Sequence, residues 1–287
     1  MSPLSASASG TFLIGGDLPV HRLGYGTMRL VGEGAWGEPS DPGEALRVLR
    51  RAVDLGVTLI DTADAYGPEI AERLIAEALY PYPAGLVIAT KGGITRQGPA
   101  KTEYVGRAGY LIQCVEMSLR RLKLERIDLY QFHRIDPRTP LEESLDALKQ
   151  MQQQGKIRHI GLSEVTPVEI EQARKIVPIV TVQNRYSLAD RRHEETLKWC
   201  EQQGIGFLPW YPIAGGKLLK TDQPSTSGLA EIAARNSISV PQLSIAWLLR
   251  RSPVMLPIPG TSKVSHLEEN IAAAGLNLSD IDLAGML

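Results

Sequence analysis

The sequence has few cysteines and almost no net charge. Its 287 residues include only Cys114 and Cys200, too few for the disulfide framework of a small secreted protein. Both fall on helical patterns, so we expect reduced side chains packed in the interior. The formal net charge of −1 gives no attraction for nucleic acid or for an anionic membrane surface. We therefore expect neither kind of partner.

Long apolar runs and targeting signals are also missing. No run approaches the roughly 18 apolar residues of a transmembrane helix. The start, MSPLSASASG, has neither the positive region nor the apolar core of a secretory signal. We expect a cytoplasmic protein that is a monomer or a weak oligomer. The Ser- and Ala-rich residues 1–10 are predicted to be disordered, and residues 11–287 to form a single domain.

Strand-like and helix-like segments alternate about eight times along the chain. An N-terminal β-hairpin is predicted at 11–21, with a Gly-rich turn. The predicted strands are 22–27, 57–60, 86–90, 127–132, 159–162, 179–182, 205–209 and 254–258. The predicted helices are 42–55, 68–80, 106–122, 140–154, 167–176, 191–203, 226–236, 240–250 and 263–274.

This alternation predicts parallel strands joined by helices, hence an α/β protein and, at this length, a (β/α)8 TIM barrel. The alternative is an open, doubly wound sheet. That fold would place a G-x-G-x-x-G motif after its first strand, but Gly24 and Gly26 are followed by Arg29 where the third glycine should stand. The barrel is therefore favoured.

Polar or aromatic side chains follow nearly every predicted strand. In a barrel these strand ends meet at one rim, where the loops carry the chemistry. Each residue alone could be a cap or a packing residue, and their convergence is what favours a functional site. The residues at these ends are Asp61 with Tyr66, Lys91, His133, Ser163, Gln183, Trp210 and Gly260 with Thr261.

Four of these residue types suit proton delivery to a developing alkoxide. A phenol such as Tyr66 is a weak acid at neutral pH, and an adjacent ammonium, here Lys91, stabilises its phenolate form. A carboxylate such as Asp61 keeps that ammonium charged and in position. An imidazole such as His133 can hydrogen-bond the oxygen that receives the proton. With a hydride source alongside, such a site would reduce carbonyl groups.

The motifs at these positions resemble those of the aldo-keto reductase family. The resemblance extends from about residue 23 to 274, in the family's order, through IDTADAYG, VIATKGG, DLYQFHRID, IGLSEVTP, VQNRYSL and IPGTSKVSHLEENIAA. It implies an NADPH-dependent reductase on a (β/α)8 barrel that acts on small carbonyl substrates. It also implies a catalytic tetrad of Asp61, Tyr66, Lys91 and His133, with Tyr66 as the general acid.

The same resemblance implies where NADPH binds. Ser163 and Gln183 would hold the nicotinamide carboxamide, and Trp210 would stack on the ring. Residues 212–216, which include Pro212, Ile213 and Gly216, would cradle the pyrophosphate. A helix N-terminus would favour the anionic adenosine end, which would be held by Thr261, Lys263, Glu269 and Asn270. Further cofactor contacts are expected from Gly26, Thr27, Tyr211 and Gly260.

This chain departs from the family pattern at several positions. Glu164 stands where asparagine usually follows the serine, Gly260 stands where a lysine often lies beside the 2′-phosphate, and His266 replaces a common arginine. Lys263 is the expected substitute, so NADPH is predicted over NADH. Few residues follow the last predicted helix, which predicts an open substrate pocket and broad specificity for small aldehydes.

We expect Trp36 and the segment around Arg134 to wall that pocket, with Tyr66 and His133 facing the substrate. Within the family, LGYGTM, EALYPY, MQQQGKIRHIGLSEVTP and QARKIV look closest to bacterial pyridoxal reductases. Pyridoxal is therefore one candidate substrate. Fold-level likeness cannot decide between substrates, because specificity lies in the pocket.

Two other classes of protein remain as alternatives. The first is an NADPH-binding regulatory subunit with little turnover, a class that the superfamily includes. The complete tetrad argues against it, because a regulatory subunit does not need one. The second is a metal-dependent barrel lyase or isomerase. Among the strand ends only Asp61 and His133 suit a metal, and Lys91 between them would repel a cation.

Overall fold

The structure, a computed structural model, describes residues 4–213, 224–279, 281–282 and 286. Its strands are β1 Thr11–Ile14, β2 Leu18–His21, β3 Tyr25–Gly26, β4 Leu59–Asp61, β5 Val87–Gly92, β6 Ile94–Gly98, β7 Lys101–Tyr104, β8 Ile127–Phe132, β9 Ile157–Ser163, β10 Ile179–Gln183 and β11 Gly206–Phe207. Its helices are α1 Pro42–Asp54, α2 Ile70–Leu79, α3 Ala108–Leu122, α4 Leu141–Gln153, α5 Pro167–Arg174, α6 Glu194–Gln203, α7 Pro224–Arg235, α8 Val240–Arg251 and α9 Val264–Ala272.

Seven strands form one parallel sheet in the order β11-β10-β9-β8-β5-β4-β3. Residues 254–258 occupy the eighth position between the two edge strands. Leu256 N–H donates to Phe207 O at 2.8 Å, and Gly24 N–H donates to Pro257 O at 2.9 Å. The sheet therefore closes, and the predicted (β/α)8 barrel is confirmed.

Residues 254–258 were predicted to form a strand, and the structure differs. The segment makes an isolated parallel bridge from Met255 to Phe207 rather than a regular strand. Pro257 and Pro259 explain the difference, because a proline has no N–H to donate to a ladder. The barrel therefore has a seam with few hydrogen bonds between residues 254–258 and β3.

The predicted N-terminal hairpin is present, with β1 and β2 antiparallel. Its apolar side chains pack into one cluster with the interior of the barrel. The members of that cluster are Ile14, Leu18, Val20, Leu59, Val87, Ala89, Leu129, Leu208, Leu256 and Ile258. Asp17, in the turn of the hairpin, pairs with Arg158 and His159 near the start of β9. His21 N–H donates to Thr58 just before β4, so the hairpin covers the N-terminal end of the barrel. The polar strand ends lie at the opposite rim.

The described part of residues 1–10 is ordered, which differs from the predicted disorder. Residues Ala6–Ser9 form a 3₁₀ turn in which Ala6 is fully buried. Ala6 N–H donates to Leu55 O at 2.8 Å, and Leu23 N–H donates to Ser9 Oγ at 2.9 Å. Small side chains allow this close packing beneath α1, although their composition resembles that of a flexible tail. The single-domain assignment stays a prediction.

Other corrections concern the segments around the strand ends. Helix α2 begins at Ile70 rather than Pro68, because Glu69 has a left-handed φ of 66° that a helix cannot include. Helix α6 begins at Glu194 rather than Arg191. An antiparallel hairpin of β6 and β7, which was not predicted, follows β5.

The remaining predicted helices agree with the structure within about two residues. Cys114 on α3 and Cys200 on α6 are both free and buried, as predicted. None of the helices described has the length and apolarity that crossing a membrane requires.

Candidate active site

A buried ion pair lies at the rim formed by the strand ends. Lys91 Nζ, at the end of β5, donates to Asp61 Oδ2 at 2.7 Å and to the Thr62 carbonyl at 2.8 Å. Both side chains of the pair are almost completely buried. Gln183 and Gln131 donate to Asp61 Oδ1 from 2.8 and 3.1 Å. The carboxylate is therefore fully paired, as its burial requires.

Tyr66 is brought to this pair by the loop after β4. Its hydroxyl lies 3.3 Å from Lys91 Nζ, and the ammonium lies 5.0 Å from the centre of its ring. The loop is fixed through its main chain, since Asp64 N–H donates to the Lys91 carbonyl and Thr27 donates to the Asp61 carbonyl. The predicted line of carboxylate, ammonium and phenol is thus assembled.

The charge state of Lys91 follows from this arrangement. Burial opposes its charge, but Asp61 and Tyr66 more than offset that effect and hold the pKa of Lys91 above its usual value. An ammonium that stays protonated is a permanent hydrogen-bond donor to the phenol. Tyr66 is therefore held beside a fixed positive charge.

His133, after β8, faces Tyr66 edge to face, with the ring centres 6.1 Å apart. Burial places the pKa of His133 well below its usual value, and the nearby charges of Lys91, Arg134 and Arg96 act in the same direction. The ring is therefore neutral at physiological pH. A neutral imidazole can donate a hydrogen bond to a carbonyl oxygen without competing as the proton source.

A cavity of about 320 Å³ opens above these side chains. Lys91 lies behind it, and the other three members of the predicted tetrad line it. The predicted cofactor residues that also line it are Gly26, Ser163, Gln183, Trp210, Tyr211, Pro212, Ile213 and Gly260. Gly216 lies outside the described residues.

Beneath this cavity, the end of β3 and the segment after residue 258 pass close to each other, and each has a glycine at the contact. A Cβ on Gly26 would lie 2.7 Å from the Ile258 carbonyl, and a Cβ on Gly260 would lie 2.7 Å from the Gly26 carbonyl. Any larger residue would push the two segments of the seam apart. This explains the glycine at 260, where the resemblance led us to look for a lysine.

Trp36 does not line the cavity, which differs from the prediction that it walls the substrate pocket. Its main chain bridges to Gly67, and its side chain is 38% exposed. Its place at the wall is taken by the unpredicted hairpin, through Ile94, Arg96, Thr102 and Tyr104. Arg134 lines the cavity, as predicted.

Several predicted cofactor residues stand away from the cavity, namely Thr27, Thr261, Lys263, Glu269 and Asn270. Thr27 is fully buried and supports the Asp61 loop. Lys263 is the residue that precedes α9, but the first N–H of that helix, on Val264, already donates to Glu44 Oε1 at 3.0 Å. That contact lowers the pKa of Glu44, so a carboxylate of the chain itself accepts from the expected anion site.

Glu164 has a structural role that the sequence did not reveal. Its Oε1 accepts from Trp210 Nε1 at 2.7 Å and from Arg185 N–H at 2.6 Å. Burial opposes its charge, but hydrogen bonds from His193, Arg185 and Trp210 lower the pKa of Glu164 to about 2. The side chain that departs from the family pattern therefore holds the indole in place.

The residues present fit a nicotinamide. An indole offers a flat apolar face, and the Gln183 amide and the Ser163 hydroxyl are the polar groups that a carboxamide can bind. All three face the cavity next to Tyr66 and His133. A planar aromatic amide would lie within reach of the phenol.

Some site residues were missed from the sequence. Gln131, in the middle of β8, donates to Asp61, and its signal was a polar residue inside an otherwise apolar strand. Arg96 lies on the unpredicted hairpin, and Arg29 lies beside Gly260. Neither arginine stands at a strand end, so the barrel rule did not select them.

Comparison with known proteins agrees with this geometry. The model of the aldo/keto reductase family matches residues 22–286. Among solved structures, a glycerol dehydrogenase from Gluconobacter oxydans covers 97% of this chain and 94% of its own, with a TM-score of 0.87 and 29% identity. An aldo/keto reductase from Klebsiella pneumoniae in complex with NADP and acetate has a TM-score of 0.81 at 28% identity, over 96% of this chain and 93% of its own.

Curated relatives are similar over nearly the whole chain. An uncharacterized oxidoreductase of Schizosaccharomyces pombe is 49% identical over 97% of this chain and 89% of its own. The pyridoxine 4-dehydrogenase of Escherichia coli is 42% identical over 95% of this chain and 96% of its own. The family uses NADP(H) and reduces carbonyl groups. The family model, the barrel and these relatives together establish that this chain belongs to the aldo/keto reductase family.

Proposed function

We propose that the protein is an NADPH-dependent reductase of small aldehydes, with Tyr66 as the proton donor. The observation that carries the proposal is the Tyr66 hydroxyl 3.3 Å from the Lys91 ammonium, which Asp61 holds at 2.7 Å. The phenol lies on the cavity wall, and the ion pair is buried behind it. The Tyr66 hydroxyl would therefore be the proton donor that a substrate in the cavity contacts.

The chain's own residues would act on the carbonyl oxygen. NADPH supplies a hydride to the carbonyl carbon when it is bound. Tyr66 gives its proton to the oxygen that becomes the alcohol, while the charge of Lys91 stabilises the phenolate left behind. His133, neutral because burial lowers its pKa, orients the same oxygen by a hydrogen bond. Asp61 keeps Lys91 charged and in place.

The cofactor would be held by the residues that line the other part of the cavity. Trp210 would stack on the nicotinamide, with its indole N–H fixed by Glu164 at 2.7 Å. Ser163 and Gln183 would bind the carboxamide. The segment from Pro212 and the backbone at Gly26 and Gly260 would follow the rest of the molecule.

Pyridoxal is the substrate we propose to test first. The support is the 42% identity to the pyridoxine 4-dehydrogenase of Escherichia coli, together with a cavity of about 320 Å³ that Tyr66 and His133 line. Other small aldehydes would enter the same space. The geometry of the tetrad does not depend on which of them is the natural substrate.

The test is NADPH oxidation against a panel of aldehydes that includes pyridoxal. Tyr66→Phe should lower kcat by about 100- to 10,000-fold, the usual contribution of a positioned general acid, and should leave the Kd for NADPH within threefold. Tyr80→Phe, a change at a tyrosine that is 52% exposed, is the matched control. Turnover of Tyr66→Phe close to that of the unmodified protein would exclude Tyr66 as the acid. Tight NADPH binding with no oxidation of any aldehyde would favour a regulatory subunit instead.

A further inference from the structure

Three arginines line the active-site cavity, Arg29, Arg96 and Arg134. Among the described residues around it, Asp61 is the one carboxylate, and its charge is neutralised by Lys91. The cavity therefore has an excess of positive charge. Such an excess favours anionic ligands, provided that at least one of these cations is not already neutralised by the protein.

For two of these arginines, solvent or contacts within the protein explain how the charge is stabilised, so neither needs a substrate anion. Arg29 is exposed, so water screens it, and it lies against Gly260 at the seam, on the side expected for the cofactor. Arg134 donates through Nη1 to Ser163 Oγ at 2.7 Å and to the His133 carbonyl. Its charge is also felt by Glu164, whose pKa it helps to lower.

Arg96 differs from Arg29 because it is half-buried. It differs from Arg134 because no carboxylate of the described residues acts on its charge as Glu164 acts on that of Arg134. It is half-buried on β6, and its Nε donates to the Ala65 carbonyl at 3.0 Å, while Nη1 is 3.5 Å from the Gly34 carbonyl. These neutral acceptors fix its position but do not neutralise it. Within the part of the chain that the structure describes, no carboxylate lies within 4 Å of its guanidinium. Burial lowers the pKa of Arg96, which expresses the cost of an uncompensated buried charge.

The position of Arg96 connects this charge to the reaction. Its charge acts on both Tyr66 and His133, the two groups that face the carbonyl oxygen. The hairpin that carries it lines the same cavity, and its guanidinium is hydrogen-bonded to the carbonyl of Ala65, the residue before Tyr66. A substrate whose carbonyl contacts Tyr66 would therefore lie near the half-buried guanidinium of Arg96. An anionic group on that substrate could bind this guanidinium, which has no other counter-charge among the described residues.

We propose that Arg96 selects aldehydes that carry an oxyanion, a carboxylate or a phenolate, on the same small molecule as the carbonyl. This inference rests on the proposed reductase function and specifies its substrate class. A guanidinium bound to an oxyanion makes a charge-assisted hydrogen bond, stronger than a bond between neutral groups. Pyridoxal, whose ring bears an acidic hydroxyl beside the aldehyde, belongs to this class.

The experiment compares matched substrates of the same size. The three isomers of formylbenzoate are tested against the corresponding formylbenzamides, which are neutral, with saturating NADPH. At least one formylbenzoate should exceed its amide by about tenfold to a hundredfold in kcat/KM, mainly through KM. Arg96→Gln should bring that ratio to within threefold of one, because any effect of the lost charge on Tyr66 and His133 applies equally to the benzoate and the amide and cancels in the ratio. Arg96→Lys, which keeps the charge, should restore part of the preference.

The control is Arg126→Gln, the same substitution at an arginine paired with Asp128 beside the start of β8, at the opposite end of the barrel. It should leave the ratio unchanged. Binding of benzoate and benzamide to the NADP⁺-bound protein, followed by calorimetry, gives a readout without turnover. Benzoate should bind more tightly, and Arg96→Gln should abolish the difference.

The outcomes separate this inference from the proposed function. Reduction of both series at equal kcat/KM by the unmodified protein overturns the role of Arg96 but leaves the reductase in place. A preference that survives Arg96→Gln overturns it too, as does a loss confined to NADPH affinity. If Arg96→Gln does not fold, Arg96→Lys and the salt dependence of the preference decide, since an ionic contact weakens as salt rises. Absence of oxidation with every aldehyde contradicts the proposed function itself.

Discussion

Asp61 ends β4 and Asp64 lies three residues later in the loop that follows, and both are buried, but their surroundings differ. Asp61 accepts from Lys91, Gln131 and Gln183, so its charge is fully paired. Asp64 Oδ1 has no hydrogen-bond partner among the described residues. Burial, with the nearby negative charge of Glu72, raises the pKa of Asp64 from 3.8 to about 7.

The two carboxyls also face different spaces. Asp61 lines the active-site cavity, while Asp64 lines a second cavity of about 240 Å³ behind the same wall. The difference shows that burial alone does not define a charged site. Asp61 is held by a cation and two amides, whereas Asp64 has none of these partners and its pKa rises to about 7.

The largest expected effect is at the paired carboxyl. Lys91→Met would take the buried ammonium away from Asp61 and leave that carboxyl with only its two amide donors, and we expect the free energy of unfolding to fall by about 3–5 kcal/mol. Urea denaturation measures the loss. Adding Asp61→Asn to Lys91→Met should recover part of that stability, because the carboxyl that has lost its cation is replaced by a neutral amide. A double variant as unstable as the sum of the single changes would contradict the pairing.

The next effect is at Asp64 and depends on pH. Because its folded pKa is raised, the folded state binds the extra proton, and stability is lost as pH rises from about 4 to 7, in total by roughly 4 kcal/mol. Asp64→Asn removes this loss. Its stability relative to the unmodified protein should therefore increase between pH 5 and pH 8, as measured by urea denaturation at each pH. Asp54→Asn, at an exposed carboxyl, is the control and should show no such trend. A pH-independent difference for Asp64→Asn would contradict the unpaired state.

The smallest effect is at Cys114, which lines the second cavity together with Asp64 and whose thiol acts to lower the pKa of that carboxyl. Cys114→Ala should cost about 1 kcal/mol beyond the lost packing at pH 8, where Asp64 is ionised, and less at pH 5. Cys200→Ala is a matched control, since burial is the cause that raises the pKa of the Cys200 thiol. Equal pH dependence for both cysteines would argue against a contact between Cys114 and Asp64.

Much of the barrel and of the tetrad's location could be predicted from the sequence. Buried strands such as Ile127–Phe132 are rich in apolar and aromatic residues, and parallel strands bring the residues after them to one rim. That rule was sufficient to place Asp61, Lys91 and His133 together. Their catalytic roles stay predictions until variants are measured.

The remaining features depend on tertiary contacts that leave no local pattern. The hairpin that carries Arg96 is mostly exposed, so its residues lack the alternation that marks a strand. Trp36 looked like a pocket residue because it is aromatic and lies in a Gly-rich loop, but its backbone is tied to Gly67 instead. The raised pKa of Asp64 follows from its burial and from the charge of Glu72, a residue of α2 that the sequence alone does not place beside it.

The seam of the barrel has a consequence for how the protein is made. Gly26 comes from the first barrel strand and Gly260 from the end of the last barrel segment, yet they meet beneath one cavity. Contacts so distant in sequence form late, because closing a long loop costs entropy. During synthesis the ion pair of Lys91 and Asp61 can form early, whereas the floor of the cavity must wait until residue 260 has left the ribosome. The buried ion pair and the closed cavity are thus separated in time as well as in sequence.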